Sequence, residues 1–162
     1  DMLQTSEASV NSLLRRARVA FESRLPASGR ERAPLPHSSV ERDVVGRFAE
    51  AVETGDVDGM VALLTGDAWL TMPPLPHAYQ GRDAIGAFLS GAEERRGAPM
   101  RLIATRANTQ PAFGCYLSAH GTAAAGAFSL LTLTLAGDRI SAVTWFADSS
   151  GFRRFGLPRI LS

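Results

Sequence analysis

The sequence contains no lysine, because all 17 of its basic residues are arginine. We attribute this bias to the codon usage of a G+C-rich genome, so the arginine content alone does not indicate a nucleic-acid-binding protein. The distribution of charge is more informative. Residues 1–32 hold six arginines against four acidic residues, whereas residues 33–162 hold eleven against twelve. A contact with a polyanion is therefore expected near the N-terminus, if anywhere.

Cysteine and long apolar segments are scarce as well. Cys115 is the only cysteine, so the chain cannot form an internal disulfide and suits a reducing compartment, with the thiol buried and inert. The longest nearly apolar stretch, Ala123–Ala136, is interrupted by glycine, serine and threonine and is shorter than the ~20 residues of a spanning helix. The first residues also lack the features of a secretion signal. We therefore expect a cytoplasmic protein without a membrane contact.

Motifs that bind phosphate, metal or cofactor are not found. The sequence has no Gly-Lys-Ser/Thr phosphate loop, and no pair of histidines or cysteines has the spacing of a zinc site. His77 and His120 could bind a metal only if the fold brought them together with an acidic residue. We predict no metal and no cofactor.

The apolar residues, 45% of the chain, suffice for one good core and an extension. Apolar residues recur at helical spacing in residues 1–22, which predicts a short amphipathic helix. Residues 23–38 are rich in proline, serine and glycine without apolar periodicity, which predicts a linker. Residues 39–162 are expected to form the folded domain.

Two periodicities follow one another in that domain. The first predicts a helix that ends at Gly55, a second helix capped by Asp56 and, after a short strand at Ala68–Met72, a third helix that begins near Gly81. Turn residues then separate four segments of strand length: Met100–Asn108, Ala112–His120, Ala127–Leu135 and Ile140–Asp148. This order predicts an α+β fold, in which helices cover the concave face of a meandering antiparallel sheet and leave a pocket at the open end.

The order of elements resembles the nuclear transport factor 2-like fold, a cone shared by SnoaL-like polyketide cyclases, ketosteroid isomerases and limonene epoxide hydrolases. Local sequence carries a sharper resemblance. Residues 5–18, with the sequence TSEASVNSLLRRAR, are similar to the recognition helix of region 4 in extracytoplasmic-function sigma factors of the sigma-70 family. Further segments resemble the tail of sigma factors that carry a fused SnoaL-like domain: Trp69–Pro74, Tyr79–Arg82, Phe146–Asp148 and Phe155–Pro158.

This resemblance implies a function. Residues 1–22 would be the remnant of a helix-turn-helix, in which Asn11, Ser12, Arg15 and Arg16 contact bases and phosphates of the promoter −35 element. The alternative for these four side chains is a solvated helix face. The SnoaL-like domain would be a C-terminal regulatory domain that modulates promoter-specific initiation by binding the sigma core regions or a small ligand. RNA polymerase core and promoter DNA are then the expected partners.

The sequence differs in two ways from the family that it resembles. The first helix of the helix-turn-helix and region 2 are missing, so we expect part of a longer sigma factor that does not initiate transcription by itself. The Asp-Gly-Gly-Gly-Lys motif of better-known sigma factors with such a tail is replaced by Met72–His77. Regulatory details tied to that motif are therefore not carried over.

Enzymes of this fold place a carboxylate inside the cone, and Asp148 is the candidate catalytic residue here. The strands offer no second carboxylate beside Arg101 or Arg106, so the Asp-Arg-Asp set of epoxide hydrolases is not reproduced. A small isomerase or cyclase that uses Asp148 as its base remains an alternative to the regulatory role, which we favour. Asp148 could equally cap the turn that follows it.

A pocket for a small apolar ligand is predicted at the mouth of the cone, although its aromatic residues are also typical of a plain core. Its predicted lining is Trp69, Met72, His77, Tyr79, Phe88, Tyr116, His120, Trp145 and Asp148. In the enzyme alternative, Tyr79, Tyr116 or His120 would donate a hydrogen bond to a developing oxyanion. A third hypothesis is a homodimer through the sheet, since sheets of this fold often pair by their convex faces.

Overall fold

The computed structural model describes residues 32–118 and 124–162. The helix predicted for residues 1–22, with its four candidate DNA-binding residues, lies outside these residues, as does His120. Residues 32–162 form one compact unit.

In the described residues, three α-helices precede or interrupt the strands. They are α1 at Ser39–Thr54, α2 at Val57–Ala62 and α3 at Arg82–Arg96. The predicted boundaries between the first two are confirmed. Gly55 ends α1 in the left-handed conformation with φ of 71°, and the Asp56 carboxylate accepts a hydrogen bond of 2.9 Å from the Gly59 N–H at the start of α2.

The described strands form one sheet in the order β2-β1-β6-β5-β4-β3, with β7 beside β5. The strands are β1 Leu64–Thr71, β2 Ala78–Gln80, β3 Met100–Ala107, β4 Gln110–Ser118, β5 Ala125–Ala136, β6 Arg139–Phe146 and β7 Ile160–Leu161. The predicted antiparallel meander of β3 to β6 is confirmed. The short strands β2 and β7 and the parallel pairing of β1 with β6 were not predicted from sequence.

The sheet has two unlike faces, because successive side chains of a strand point to opposite sides. We call the side against the helices the helix face; in β5 it carries Leu131, Leu133 and Leu135, which are buried against the helices. The outer face carries Leu130, Thr132 and Thr134 of the same strand. The core of the domain therefore lies between the helices and one side of the sheet.

A second, smaller cluster covers part of the outer face. After β6 the chain forms a 3₁₀-helix, Ser150–Phe155, that brings Phe152 and Leu157 against Tyr116 and Leu130. The rings of Tyr116 and Phe152 meet edge to face with centroids 5.4 Å apart, and the Tyr116 hydroxyl donates to the Pro158 carbonyl over 2.8 Å. The C-terminal segment is thus fixed to the side of the sheet that the helices leave free.

Residues 32–38, the second half of the predicted linker, are held by the domain. The Gly137 N–H donates to the Arg32 carbonyl over 3.3 Å. Next to the start of α1, the Glu41 carboxylate accepts from the His37 N–H over 2.9 Å and from the Arg106 guanidinium over 2.8 and 3.2 Å. These contacts join residues 32–38 to the domain, which the sequence predicts to begin at residue 39.

Candidate functional site

The space between the helices and the sheet, where the sequence predicts a pocket, is filled by side chains. The remaining cavity has a volume of about 20 Å³, which is room for a single water molecule. Large apolar side chains from both layers meet there, including Phe48, Ile85, Leu131 and Trp145. Between the helices and the sheet, the described residues therefore leave no room for an organic ligand.

The residues predicted to line one pocket lie in several places. Met72, Tyr79, Phe88 and Trp145 pack against the core on the helix face, where the rings of Tyr79 and Phe88 stack with centroids 4.5 Å apart. Only Trp145 of these four borders the small internal cavity.

The other predicted pocket residues lie away from that core. Trp69 belongs to the outer face and is 43% exposed, and His77 is exposed in the loop before β2. Tyr116 is buried in the outer-face cluster. Asp148 follows β6 on the same outer side, where it borders a second cavity. The described residues thus do not bring the predicted set together at one site.

Asp148 caps the segment that follows it. Its carboxylate accepts hydrogen bonds from both the backbone N–H and the hydroxyl of Ser150. These bonds, together with the charge of Arg159, hold the pKa of Asp148 below its usual range, and the side chain is exposed. A general base works best with a pKa near the operating pH. The capping role is the one these contacts support.

A concave site on the outer face has a volume of about 660 Å³. We call it the outer groove. Its floor is formed by strands β5 and β6, with Thr132 and Thr144 side by side in the register of the two strands. The groove is lined by Pro73, Pro74, Ala107, Asn108, Gln110, Leu130, Thr132, Thr144, Phe146, Asp148, Ser150, Gly151, Phe152 and Phe155.

Three segments that are distant in sequence form the walls of the outer groove. The proline-rich loop after β1 contributes Pro73 and Pro74, and the hairpin between β3 and β4 contributes Asn108 and Gln110. The 3₁₀-helix completes the wall, and it is held to β3 by a hydrogen bond of 3.3 Å from the Thr105 hydroxyl to the Phe155 carbonyl. Of the predicted pocket residues that the structure describes, only Asp148 lines this groove. The alternation of leucine and threonine in β5 could have indicated which side chains share the outer face, but not that a groove forms there.

Two further findings concern other kinds of site. Within residues 32–118 and 124–162, no three histidine, cysteine or acidic side chains lie close enough together to bind a metal ion. None of the helices in the same residues is long and apolar enough to span a bilayer.

Comparison with known proteins gives three kinds of match. Residues 45–142 match the model of the SnoaL-like domain family. Over 159 residues, or 98% of the chain, the sequence is 38% identical to the ECF RNA polymerase sigma factor SigG of two Mycobacterium tuberculosis strains, CDC 1551 and H37Rv. The chain spans 42% of the length of these two relatives.

Solved structures share the fold at low sequence identity. A crystal structure from Kribbella flavida, assigned as a ketosteroid isomerase, is 16% identical, with a TM-score of 0.54 over 72% of this chain and 84% of that chain. A cystatin-fold protein from Novosphingobium aromaticivorans is 18% identical, with a TM-score of 0.51 over 65% of this chain and 96% of that chain. At these identities the likeness concerns the fold alone.

Proposed function

The chain belongs to the SnoaL-like domain family and has its curved sheet packed against helices, and from this premise we propose that it is part of an extracytoplasmic-function sigma factor. In that protein the SnoaL-like domain is a C-terminal regulatory domain that modulates promoter-specific initiation. Its partners are RNA polymerase core and promoter DNA, in the cytoplasm. The observation that carries the proposal is the 38% identity to the sigma factor SigG, which extends over nearly the whole chain and not over the domain alone.

The geometry of the domain favours regulation over catalysis. The interior of the cone has room for about one water molecule, and the candidate base Asp148 is an exposed cap with a lowered pKa. An enzyme of this fold needs a carboxylate that can act as a base beside its substrate. Asp148 borders the outer groove, but its hydrogen bonds to Ser150 and its lowered pKa do not suit it to that role. A regulatory domain, by contrast, needs only a stable surface that contacts the sigma core regions or a groove that binds a small ligand.

For the N-terminal segment we propose promoter recognition. Asn11 and Ser12 would contact base edges, and Arg15 and Arg16 would contact phosphates. This assignment is supported by the similarity to sigma region 4 and by the excess of arginine in residues 1–32.

Reconstituted transcription tests the proposal. We would compare the complete sigma factor with a version that ends at Arg30, before the first residue held by the SnoaL-like domain. A change in transcript yield from a cognate promoter, with equal binding to the polymerase core, is the expected result, and its sign tells whether the domain activates or inhibits. Equal yields from both versions would contradict a regulatory role.

The proposed DNA contact is tested with a double variant, Arg15→Ala with Arg16→Ala, made both in the complete protein and in the version that ends at Arg30. It should lower promoter occupancy in both versions alike, because the residues act on DNA and not on the regulatory domain. Unchanged occupancy would remove these residues from the promoter interface.

We also propose that two chains form a homodimer through the outer face of the sheet. Trp69, which is 43% exposed there, is the side chain that such an interface would bury. A Trp69→Glu variant should then sediment as a monomer where the unmodified chain is dimeric, and identical sedimentation of the two would count against the interface.

A further inference from the structure

The outer groove has the size of a ligand-binding site, whereas the cone interior does not. Its volume of about 660 Å³ lies within the range of roughly 300–1,000 Å³ that is typical of pockets for small molecules. The internal cavity, with about 20 Å³, is too small for any organic ligand. The outer groove is therefore a better candidate for a small-molecule site than the cone interior.

The lining of the groove combines apolar walls with a few polar groups. Leu130, Phe146, Phe152 and Phe155 supply aromatic and aliphatic surface, of which Phe146 is partly exposed and Phe152 is fully buried. The hydroxyls of the two floor threonines supply hydrogen-bonding groups, and so does the amide oxygen of Gln110, whose amide nitrogen donates to the Thr134 hydroxyl over 2.8 Å. Such a lining fits a molecule with a flat apolar body and one or two polar substituents.

The charge of the groove restricts the ligand further. Asp148 is the only charged side chain among the described residues that line it. Its carboxylate stays ionised, since Ser150 and Arg159 lower its pKa. Arg159 is close enough to lower the pKa of Asp148, but like the exposed Arg153 and Arg154 it does not line the groove. An anionic ligand would therefore meet a carboxylate with no lining arginine to pair with it.

The walls are fixed in the structure and do not depend on a ligand for their form. Phe152 is held by the edge-to-face contact with Tyr116, and the Leu157 N–H donates to its carbonyl over 3.0 Å. Asp148 is held by Ser150. A pre-formed site loses less conformational entropy on binding than one that has to be ordered.

From these observations we propose that the outer groove binds a small aromatic molecule that is neutral or cationic, and that it excludes anionic molecules of the same shape. This inference rests on the proposed function only where it gives the ligand a role, which is to control the sigma factor through its SnoaL-like domain. Binding itself is a property of this chain and can be measured without polymerase.

A matched pair of fluorescent probes tests the chemistry on the 162-residue chain. N-phenyl-1-naphthylamine is neutral, and 1-anilinonaphthalene-8-sulfonate has the same aromatic skeleton with a sulfonate added. The neutral probe should bind at least about tenfold more tightly, a difference of about 1.4 kcal/mol. In Asp148→Asn the preference should shrink, because the carboxylate that repels the sulfonate is gone.

Substitutions locate the binding site. Thr144→Phe fills the floor of the groove and should weaken binding of the neutral probe by about tenfold or more. Ala142→Phe is the matched control, since Ala142 lies two residues before Thr144 on the same face of β6 but does not line the groove; it should leave binding within about twofold. Ala107→Phe obstructs the groove from another strand, β3. This variant provides an independent test of the site if Thr144→Phe fails to fold.

The possible outcomes are distinct. Loss of binding in the two obstructed variants, with binding kept in Ala142→Phe, supports the site. The proposal is wrong if neither probe binds, if the sulfonate binds as tightly as the neutral probe, or if Ala142→Phe and Thr144→Phe have equal effects. A failure of the transcription test would leave a positive binding result intact, so the two proposals fail separately.

Discussion

The ion pair between Glu41 and Arg106 joins the start of α1 to the end of β3, across 65 positions of sequence. Glu41 is 6% exposed, whereas the Arg106 side chain is 28% exposed. Glu41→Gln keeps the size of the side chain and an oxygen to accept from the His37 N–H, but it removes the charge that faces the guanidinium. The substitution therefore isolates the electrostatic part of the contact.

The expected loss of stability lies between two limits. Exposed ion pairs contribute about 0.2–1 kcal/mol, and removal of one partner of a fully buried pair costs about 3–5 kcal/mol. Because one partner is buried and the other is partly solvated, we expect Glu41→Gln to lower the free energy of unfolding by about 2 kcal/mol at neutral pH. Glu50→Gln, at an exposed position of the same helix, is the control and should change it by less than about 0.5 kcal/mol.

The contribution of the pair should depend on pH in a defined direction. The Arg106 guanidinium, which donates two hydrogen bonds to Glu41, lowers the pKa of this carboxyl from its ordinary value of 4.5 in the folded protein. The stabilisation is therefore complete above the pKa of the unfolded state and is lost as the pH falls through the lower folded value. The difference between the two proteins should shrink between neutral pH and pH ~3.

Urea unfolding followed by tryptophan fluorescence measures this difference, since both tryptophans, Trp69 and Trp145, belong to the folded unit. The midpoint should fall without a change in the slope, because the substitution alters stability and not the surface exposed on unfolding. Equal losses for Glu41→Gln and Glu50→Gln, or a loss that persists unchanged at pH ~3, would refute the reasoning.

Two further predictions concern β4. Gly114→Ala should lower stability by about 1–3 kcal/mol, because the added Cβ would lie 2.8 Å from Leu157 Cδ1; Gly126→Ala, with no atom within 4 Å of its Cβ, is the control in the same urea assay, and similar effects at both positions would contradict the packing argument. Cys115 is fully buried, and burial raises the pKa of its thiol to about 11, so a disulfide reagent such as dithionitrobenzoate should react only as fast as the chain unfolds. Immediate reaction in the absence of urea would show that the thiol is accessible.

Much of the fold followed from local sequence patterns. The change from helical to strand periodicity predicted the α+β class and the meander of β3 to β6. Gly55 and Asp56 marked the boundary between the first two helices because one favours the left-handed conformation and the other accepts hydrogen bonds from free N–H groups. Local segments also carried the resemblance to a SnoaL-like domain, which the family match confirms. These features depend on residues that are close in sequence.

The site depended on how distant segments meet, and only the tertiary structure decided it. The sequence predicts that aromatic residues gather near the mouth of the cone, but whether they line a cavity or fill it depends on the summed volumes of facing side chains, such as Phe48 and Trp145. The capping turn of Asp148 could be read from sequence as one of two alternatives, and its contacts with Ser150 favour that one. The outer groove could not be predicted, because its walls come from the loop after β1, the hairpin between β3 and β4, and a C-terminal helix without apolar periodicity. The sequence by itself determined the family and the longer helices and strands, because their signals are local, whereas the tertiary structure decided the short strands β2 and β7, which side of the sheet is filled and which side is open.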